Sequence, residues 1–220
     1  MADRTIKKGD FIKLNFTGYL KESGEVFDTT YEQKAKEAGL YEQGKKYKPL
    51  IVVAGKGQVI KGLDHFLIGK PLGEYHVEVK PEDAFGKRNA KLIKLMSKSV
   101  FTKHNINPFP GLRVEMDNVL ATIVSVSGSR VLVDFNHPLA GKTLIYDLKV
   151  EGFIDDKKEQ VKLLASSLFG KEPKVEEKDG KYEISWKDLD ENSKRMLRII
   201  DKELKKEIKD KAGVEVEIKI

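Results

Sequence analysis

Through the first 154 residues, apolar side chains recur mainly with a period of two. Ile12, Leu14 and Phe16 alternate with Lys13, Asn15 and Thr17. Tyr75, Val77 and Val79 do the same, as do Leu144, Tyr146, Leu148 and Val150. Alternation of this kind is the signature of a half-buried strand, because successive strand side chains point to opposite faces. Residues 26–27, 51–53 and 92–95 are also strand-like. Segments 118–126 and 130–135 are joined by Ser127-Gly128-Ser129 and predict a hairpin. Helical spacing of apolar residues is carried by Ile60, Leu63, Phe66 and Leu67, which predict a helix over 60–68 ended by Gly69 and Pro71. Short helices are expected at 31–38 and near 99–104. Such a segment must fold around sheets, with few helices.

From Asp155 onward the pattern changes. A helix is expected over about 156–168, then a strand pair turning at Asp179-Gly180. A long helix over about 189–210 carries Met196, Leu197, Ile200, Leu204 and Ile208 at spacings of three and four. A last strand is expected over 214–220. The order αββαβ describes a small α+β domain with its own core.

Charge divides the chain in the same way. The chain carries 41 Lys and Arg against 35 Asp and Glu, a formal net charge of +6. Residues 155–220 hold 17 acidic and 17 basic residues and are neutral. Residues 87–137 hold eight cations and three acids, so this stretch alone accounts for +5. It is therefore expected to be a separate unit with its own surface task. The 40% hydrophobic content is enough for a packed core. No run of 18 apolar residues exists, and the N-terminus lacks an apolar signal segment, so a cytoplasmic protein without membrane contact is expected. The basic insert has few aromatics among its cations, so no nucleic-acid partner is expected.

The usual catalytic motifs are missing. There is no Cys, which excludes disulfides, thiolate nucleophiles and Cys-based metal sites. Gly55-Lys56-Gly57 lacks the remainder of a dinucleotide loop, and no Gly-x-Ser-x-Gly elbow is present. His65, His76, His104 and His137 are scattered without metal-ligand spacing, so no metal and no cofactor are expected. What stands out instead is a set of apolar residues in glycine-punctuated surroundings, flanking one carboxylate: Phe16, Phe27 beside Asp28, Val59-Ile60, Leu63, Phe85 and Tyr146.

The segments that carry these residues resemble the FKBP family of peptidyl-prolyl cis/trans isomerases. They are Leu14-Asn15-Phe16-Thr17-Gly18, Gly24-Glu25-Val26-Phe27-Asp28-Thr29-Thr30, Gly55-Lys56-Gly57-Gln58-Val59-Ile60-Lys61-Gly62-Leu63 and Pro81-Glu82-Asp83-Ala84-Phe85-Gly86, in family order. Asn136-His137-Pro138-Leu139-Ala140-Gly141 is similar to a segment of the SlyD-like subfamily, which carries an insert-in-flap chaperone domain. With the tail added, the chain resembles the long archaeal FKBPs. The resemblance implies an α+β fold: a twisted antiparallel sheet wrapping a short helix, an inserted β-rich domain, and the C-terminal α+β domain. The implied domains are 1–86 with 138–154, the insert 87–137, and the tail 155–220.

By the same resemblance, Phe16, Phe27 and Phe85 are aromatic walls around a prolyl ring, Leu63 its floor and Tyr146 a further wall. Val59 and Ile60 line the rim, with the Ile60 backbone N–H holding a substrate carbonyl. Asp28 is the polar group at the rotating carbonyl. The insert is expected to capture unfolded chain through Ile93, Leu95, Met96, Val100, Phe101, Ile106, Phe109, Leu112 and Met116. The expected partners are unfolded or proline-containing polypeptides, and a homodimer through the C-terminal domain is a further expectation. The alternative reading is a binding-only chaperone whose isomerase site is vestigial.

Overall fold

The computed structural model describes residues 4–116, 119–178 and 180–219. It is a mixed α+β structure with three sheets. The first combines β1 (Phe11–Leu20), β2 (Val26–Thr29), β3 (Leu50–Val53), β4 (Gly73–Val79) and β9 (Leu144–Phe153). Its path runs β2-β1-β9-β4, with β3 also pairing to β1. β1 pairs antiparallel with both β2 and β3: Leu14 opposes Leu50, Thr17 opposes Thr29, and a bulge follows Gly18. Two short helices belong to this part, α1 (Glu32–Glu37) and α2 (Lys61–Leu67). Leu63 and Leu67 on α2 are buried, as the spacing predicts.

β1 corrects the expectation of a half-buried strand. Asn15 and Thr17, read as outward-facing, are buried along with Phe11, Ile12 and Leu14. β1 lies inside the sheet, flanked by β2 and β3 on one side and β9 on the other. Its polar residues are buried in hydrogen bonds. Asn15 Nδ2 donates to Glu151 at 2.8 Å, and the hydroxyls of Thr17 and Thr29 meet at 3.0 Å. A buried polar group with a partner avoids the desolvation penalty that would otherwise argue against it.

By compactness the described chain divides into two units. One holds residues 1–19, 25–77 and 146–220; the other holds 20–24 and 78–145. In the second unit β5 (Ile93–Ser97), α3 (Lys98–Thr102), β6 (Arg113–Met116), β7 (Val119–Ser127) and β8 (Arg130–Asp134) form a four-stranded antiparallel sheet in the order β5-β8-β7-β6, with one short helix. β6 has no counterpart among the predicted strands. It is only four residues long and follows a run of turn residues, so its alternation is too short to register. The small core here is Phe101, Val114, Ala121, Ile123, Val131 and Val133.

In the first unit the chain continues through α4 (Lys157–Phe169), β10 (Lys174–Lys178), β11 (Lys181–Ser185), α5 (Glu191–Ala212) and β12 (Val216–Lys219). This is the αββαβ order. The sheet runs β10-β11-β12, with β11 and β12 parallel and joined through α5. Asp156 and Asp190 cap the two helices, each accepting a backbone N–H at 2.7 Å. Gly170 and Gly213 end them in the left-handed conformation. Met196 leaves the predicted stripe: it is half exposed, whereas Leu197, Leu204 and Ile208 are buried. Nor is the tail's core its own. Phe11 and Val53 pack in one cluster with Ile154, Val161, Leu164, Ile184, Leu204 and Ile208. Among the described residues no helix is long and apolar enough to cross a membrane.

Candidate functional site

Three aromatic side chains converge from three neighbouring strands. Phe16 comes from β1, Phe27 from β2 and Tyr146 from β9. The Phe16 and Tyr146 ring centroids are 5.9 Å apart and tilted by 56°. Phe27 meets Tyr146 edge-on at 5.7 Å and 85°. Both distances fall in the range where aromatic quadrupoles attract. Tyr146 is buried at the middle of the group, while Phe16 and Phe27 keep part of their surface open.

The strand backbone is locked where these rings sit. The Thr30 backbone N–H donates to the Phe16 carbonyl at 3.0 Å, and the Phe16 N–H donates to the Thr30 hydroxyl at 2.9 Å. Thr29 Oγ1 donates to the same Phe16 carbonyl at 3.0 Å. Gly18 supplies the space for Phe27. A Cβ at that position would lie 2.6 Å from the tip of the Phe27 ring. Gly18 closes the Leu14–Gly18 motif segment, and it decides where Phe27 stands. The signal available in sequence was a glycine inside a strand, which marks a bulge or a close approach. Gly18→Ala is expected to push the Phe27 ring aside at little cost in thermal stability, which near-ultraviolet circular dichroism and calorimetry on the same variant check.

Asp28 is exposed, opposite Gly18 in the register. Its Oδ1 accepts the Thr29 backbone N–H at 2.8 Å, which fixes the carboxylate's orientation. Burial raises the Tyr146 phenol well above its ordinary value, and the Asp28 charge raises it further. The hydroxyl therefore stays protonated and can donate. A raised acid favours folding below the phenol's ordinary value of about 10, and that contribution is lost as pH rises past the folded value. The wild type is expected to lose thermal stability above pH 10 more steeply than Tyr146→Phe, as melting curves over pH 8–12 would show.

Val59, Ile60 and Leu63 stand at the entry to α2. Ile60 is the residue before its first turn, and its carbonyl accepts the N–H groups of Leu63 and Asp64, both at 3.0 Å. Its own N–H has no hydrogen-bond partner among the described residues. Asp64 is buried and holds the preceding loop, accepting the backbone N–H of Gly55 at 2.8 Å and of Gly57 at 2.9 Å. Both glycines have positive φ. Sequence reasoning missed Asp64. The available signal was an acid on the first turn of a helix that follows two closely spaced glycines.

Phe85 lies in the other unit. Its ring stacks parallel on His137 with centroids 4.2 Å apart. In the insert, Phe101 is 2% exposed and belongs to the core. Met96, Val100, Ile106, Leu112 and Met116 pack against that core, and Ile93 is half-buried. Leu95 and Phe109 are 59% and 55% exposed. Leu92, Val119, Leu120 and Val124 are also exposed and were not among the sequence candidates. In β7 both faces are apolar, so alternation alone could not say which residues point outward. Among the described residues no group of three or more His, Asp or Glu could hold a metal ion.

A family model described as FKBP-type peptidyl-prolyl cis-trans isomerase matches residues 2–102. A second, described as FKBP26, IF domain, matches residues 94–139. The chain is 36% identical over 146 residues to a short-type peptidyl-prolyl cis-trans isomerase of Methanocaldococcus jannaschii, covering 66% of this chain and 92% of that protein. It is 32% identical over 120 residues to the FKBP-type isomerase SlyD of Helicobacter pylori, covering 52% of this chain and 64% of that one. A probable FKBP-type 16 kDa isomerase of Pseudomonas fluorescens is 27% identical over 156 residues, 68% of this chain and 93% of that protein. With over a third of positions shared along nearly the whole length of the M. jannaschii isomerase, the chain belongs to the FKBP-type peptidyl-prolyl cis-trans isomerase family.

Proposed function

We propose that the chain rotates Xaa-Pro bonds against the Phe16–Phe27–Tyr146 group and captures unfolded polypeptide on its insert. The supporting observation is the convergence of three rings from adjacent strands beside one oriented carboxylate. Amide rotation meets a barrier of ~18–20 kcal/mol, set by resonance, and no covalent bond breaks. A catalyst need only favour the twisted amide over the planar one. The twisted form has lost resonance and is less zwitterionic, so a dry, aromatic-lined surface favours it relative to water.

In this reading Val59 and Leu63 complete the apolar lining. The free Ile60 N–H binds a substrate carbonyl. Asp28 orients the rotating carbonyl electrostatically and transfers no proton. The division of labour follows the domains 1–86 with 138–154, insert 87–137 and tail 155–220. Leu95 and Phe109, with the exposed residues around them, form the capture surface, while Phe101 serves the insert's core.

The test is cis-to-trans relaxation of a short Xaa-Pro peptide. Wild type is expected to accelerate it, and Asp28→Ala is expected to lower that acceleration about tenfold or more. No acceleration by a folded wild type would leave a binding-only chaperone and move the function to the insert.

A further inference from the structure

The segment Asn136-His137-Pro138-Leu139-Ala140-Gly141-Lys142 contains none of the residues assigned above to prolyl rotation, and it builds a second feature within the insert-bearing unit. It forms one wall of a cleft of about 320 Å³, whose other wall is the outer face of the insert sheet at Arg113, Thr122 and Val124. Asn136 ties the entering and leaving chains together. Its Oδ1 accepts the Asn89 N–H at 2.8 Å, and its Nδ2 donates to the Asn89 carbonyl at 3.0 Å. Gly141 has φ +76, and a Cβ there would lie 3.2 Å from Arg88 Cβ, so a glycine lets Arg88 come close.

Asp134 is the carboxylate in this cleft, and both of its oxygens are occupied. Oδ1 accepts the Asn136 backbone N–H at 2.8 Å and its side-chain amide at 2.6 Å. Oδ2 accepts from Arg88 Nε at 2.8 Å and is 2.6 Å from Arg88 Nη2. Arg88 and Asp134 therefore neutralise each other. Arg113 and Lys142, which also line the cleft, make no ion pair among the described residues. Two cations remain uncompensated in a recess with apolar edges at Val124 and Pro138.

We propose that this cleft binds the carboxylate of an Asp or Glu side chain in a captured client polypeptide. The proposal rests on the reading that the insert captures unfolded chain. Leu95 and Leu132, paired across the sheet, lie one row along the same face from Ile93 and Asp134 and offer an apolar surface beside the cleft. A client that carries an apolar residue near its acid meets both, and the excess positive charge of 87–137 attracts it from a distance.

The test uses the full chain and fluorescein-labelled unstructured peptides of one sequence, carrying Leu-x-Glu, Leu-x-Gln or Leu-x-Lys, read by anisotropy. The Glu peptide is expected to bind about fivefold more tightly than the Gln peptide, with the ratio shrinking toward one in 0.5 M salt. Arg113→Glu with Lys142→Glu should reverse the order and favour Lys. Arg113→Gln with Lys142→Gln should abolish the preference, and serves if the reversal variant does not fold. Equal binding of Glu and Gln peptides to wild type would overturn the acidic preference while leaving chain capture standing. A preference unchanged in the variants would place it elsewhere and overturn the cleft. Binding of none of the three peptides would instead overturn the capture reading and this proposal with it.

Discussion

Replacing residues 90–135 by a short glycine-rich turn is expected to lower catalysis of a proline-limited protein refolding about a hundredfold, while isomerisation of a tetrapeptide changes less than about twofold. The junction suits such a deletion. Asn89 and Asn136 already exchange hydrogen bonds through Asn136's amide, so the cut ends are neighbours. The unequal effect follows from concentration. A tetrapeptide finds the aromatic group by diffusion, with or without the insert. If the insert captures chain as proposed, a held client presents its prolines from within the same complex, where effective concentrations are millimolar rather than the micromolar of free solution. The ratio of those two concentrations, about a thousandfold, caps the loss, and the expected hundredfold lies below that cap. Refolding of a client with one slow Xaa-Pro bond, followed by fluorescence beside a tetrapeptide assay, measures both. Equal losses on the two substrates would contradict capture by the insert and point to damage of the isomerase site.

Sequence carried the fold where local pattern and global placement coincide. The helix around Leu63, the hairpin at Gly128 and the αββαβ tail follow from periodicity and turn chemistry, because each element's apolar face is also its buried face. β1 departs from that rule. With strands on both sides of it, Asn15 and Thr17 are buried by neighbours far away in sequence, and no local alternation reports that. Met196 and Leu197 show the complementary limit. Both fit a helical stripe within one step, and only the position of the sheet against α5 decides that Leu197 is buried and Met196 is not. At the candidate site the ring-bearing residues were legible because their motifs are dense. The residues that position them were not. Gly18 and Asp64 act through a close approach and through two backbone N–H groups, and both depend on which strand or loop lies next to them.

Phe27→Ala is expected to lower kcat/KM on a short Xaa-Pro peptide about a hundredfold. Removing the apolar wall against a bound prolyl ring forfeits about 1.5–3 kcal/mol of burial. Since each ~1.4 kcal/mol is a factor of ten in rate, the upper end of that range gives about two orders of magnitude. The fold should survive, because Phe27 is only half-buried on the four-residue β2. Phe27→Leu separates shape from aromatic character: it restores apolar volume above Gly18 and should recover part of the activity, leaving the loss of the edge-on contact with Tyr146. A double variant with Asp28→Ala tests whether the two residues act on one bound amide. If the ring holds the proline while the carboxylate orients the rotating carbonyl, removing either spoils the placement the other needs, and the combined loss should fall well short of the product of the single losses. Multiplying losses would mean that Phe27 and Asp28 act independently. In that case the carboxylate's effect is a general electrostatic one, exerted without the proline being held in the aromatic group.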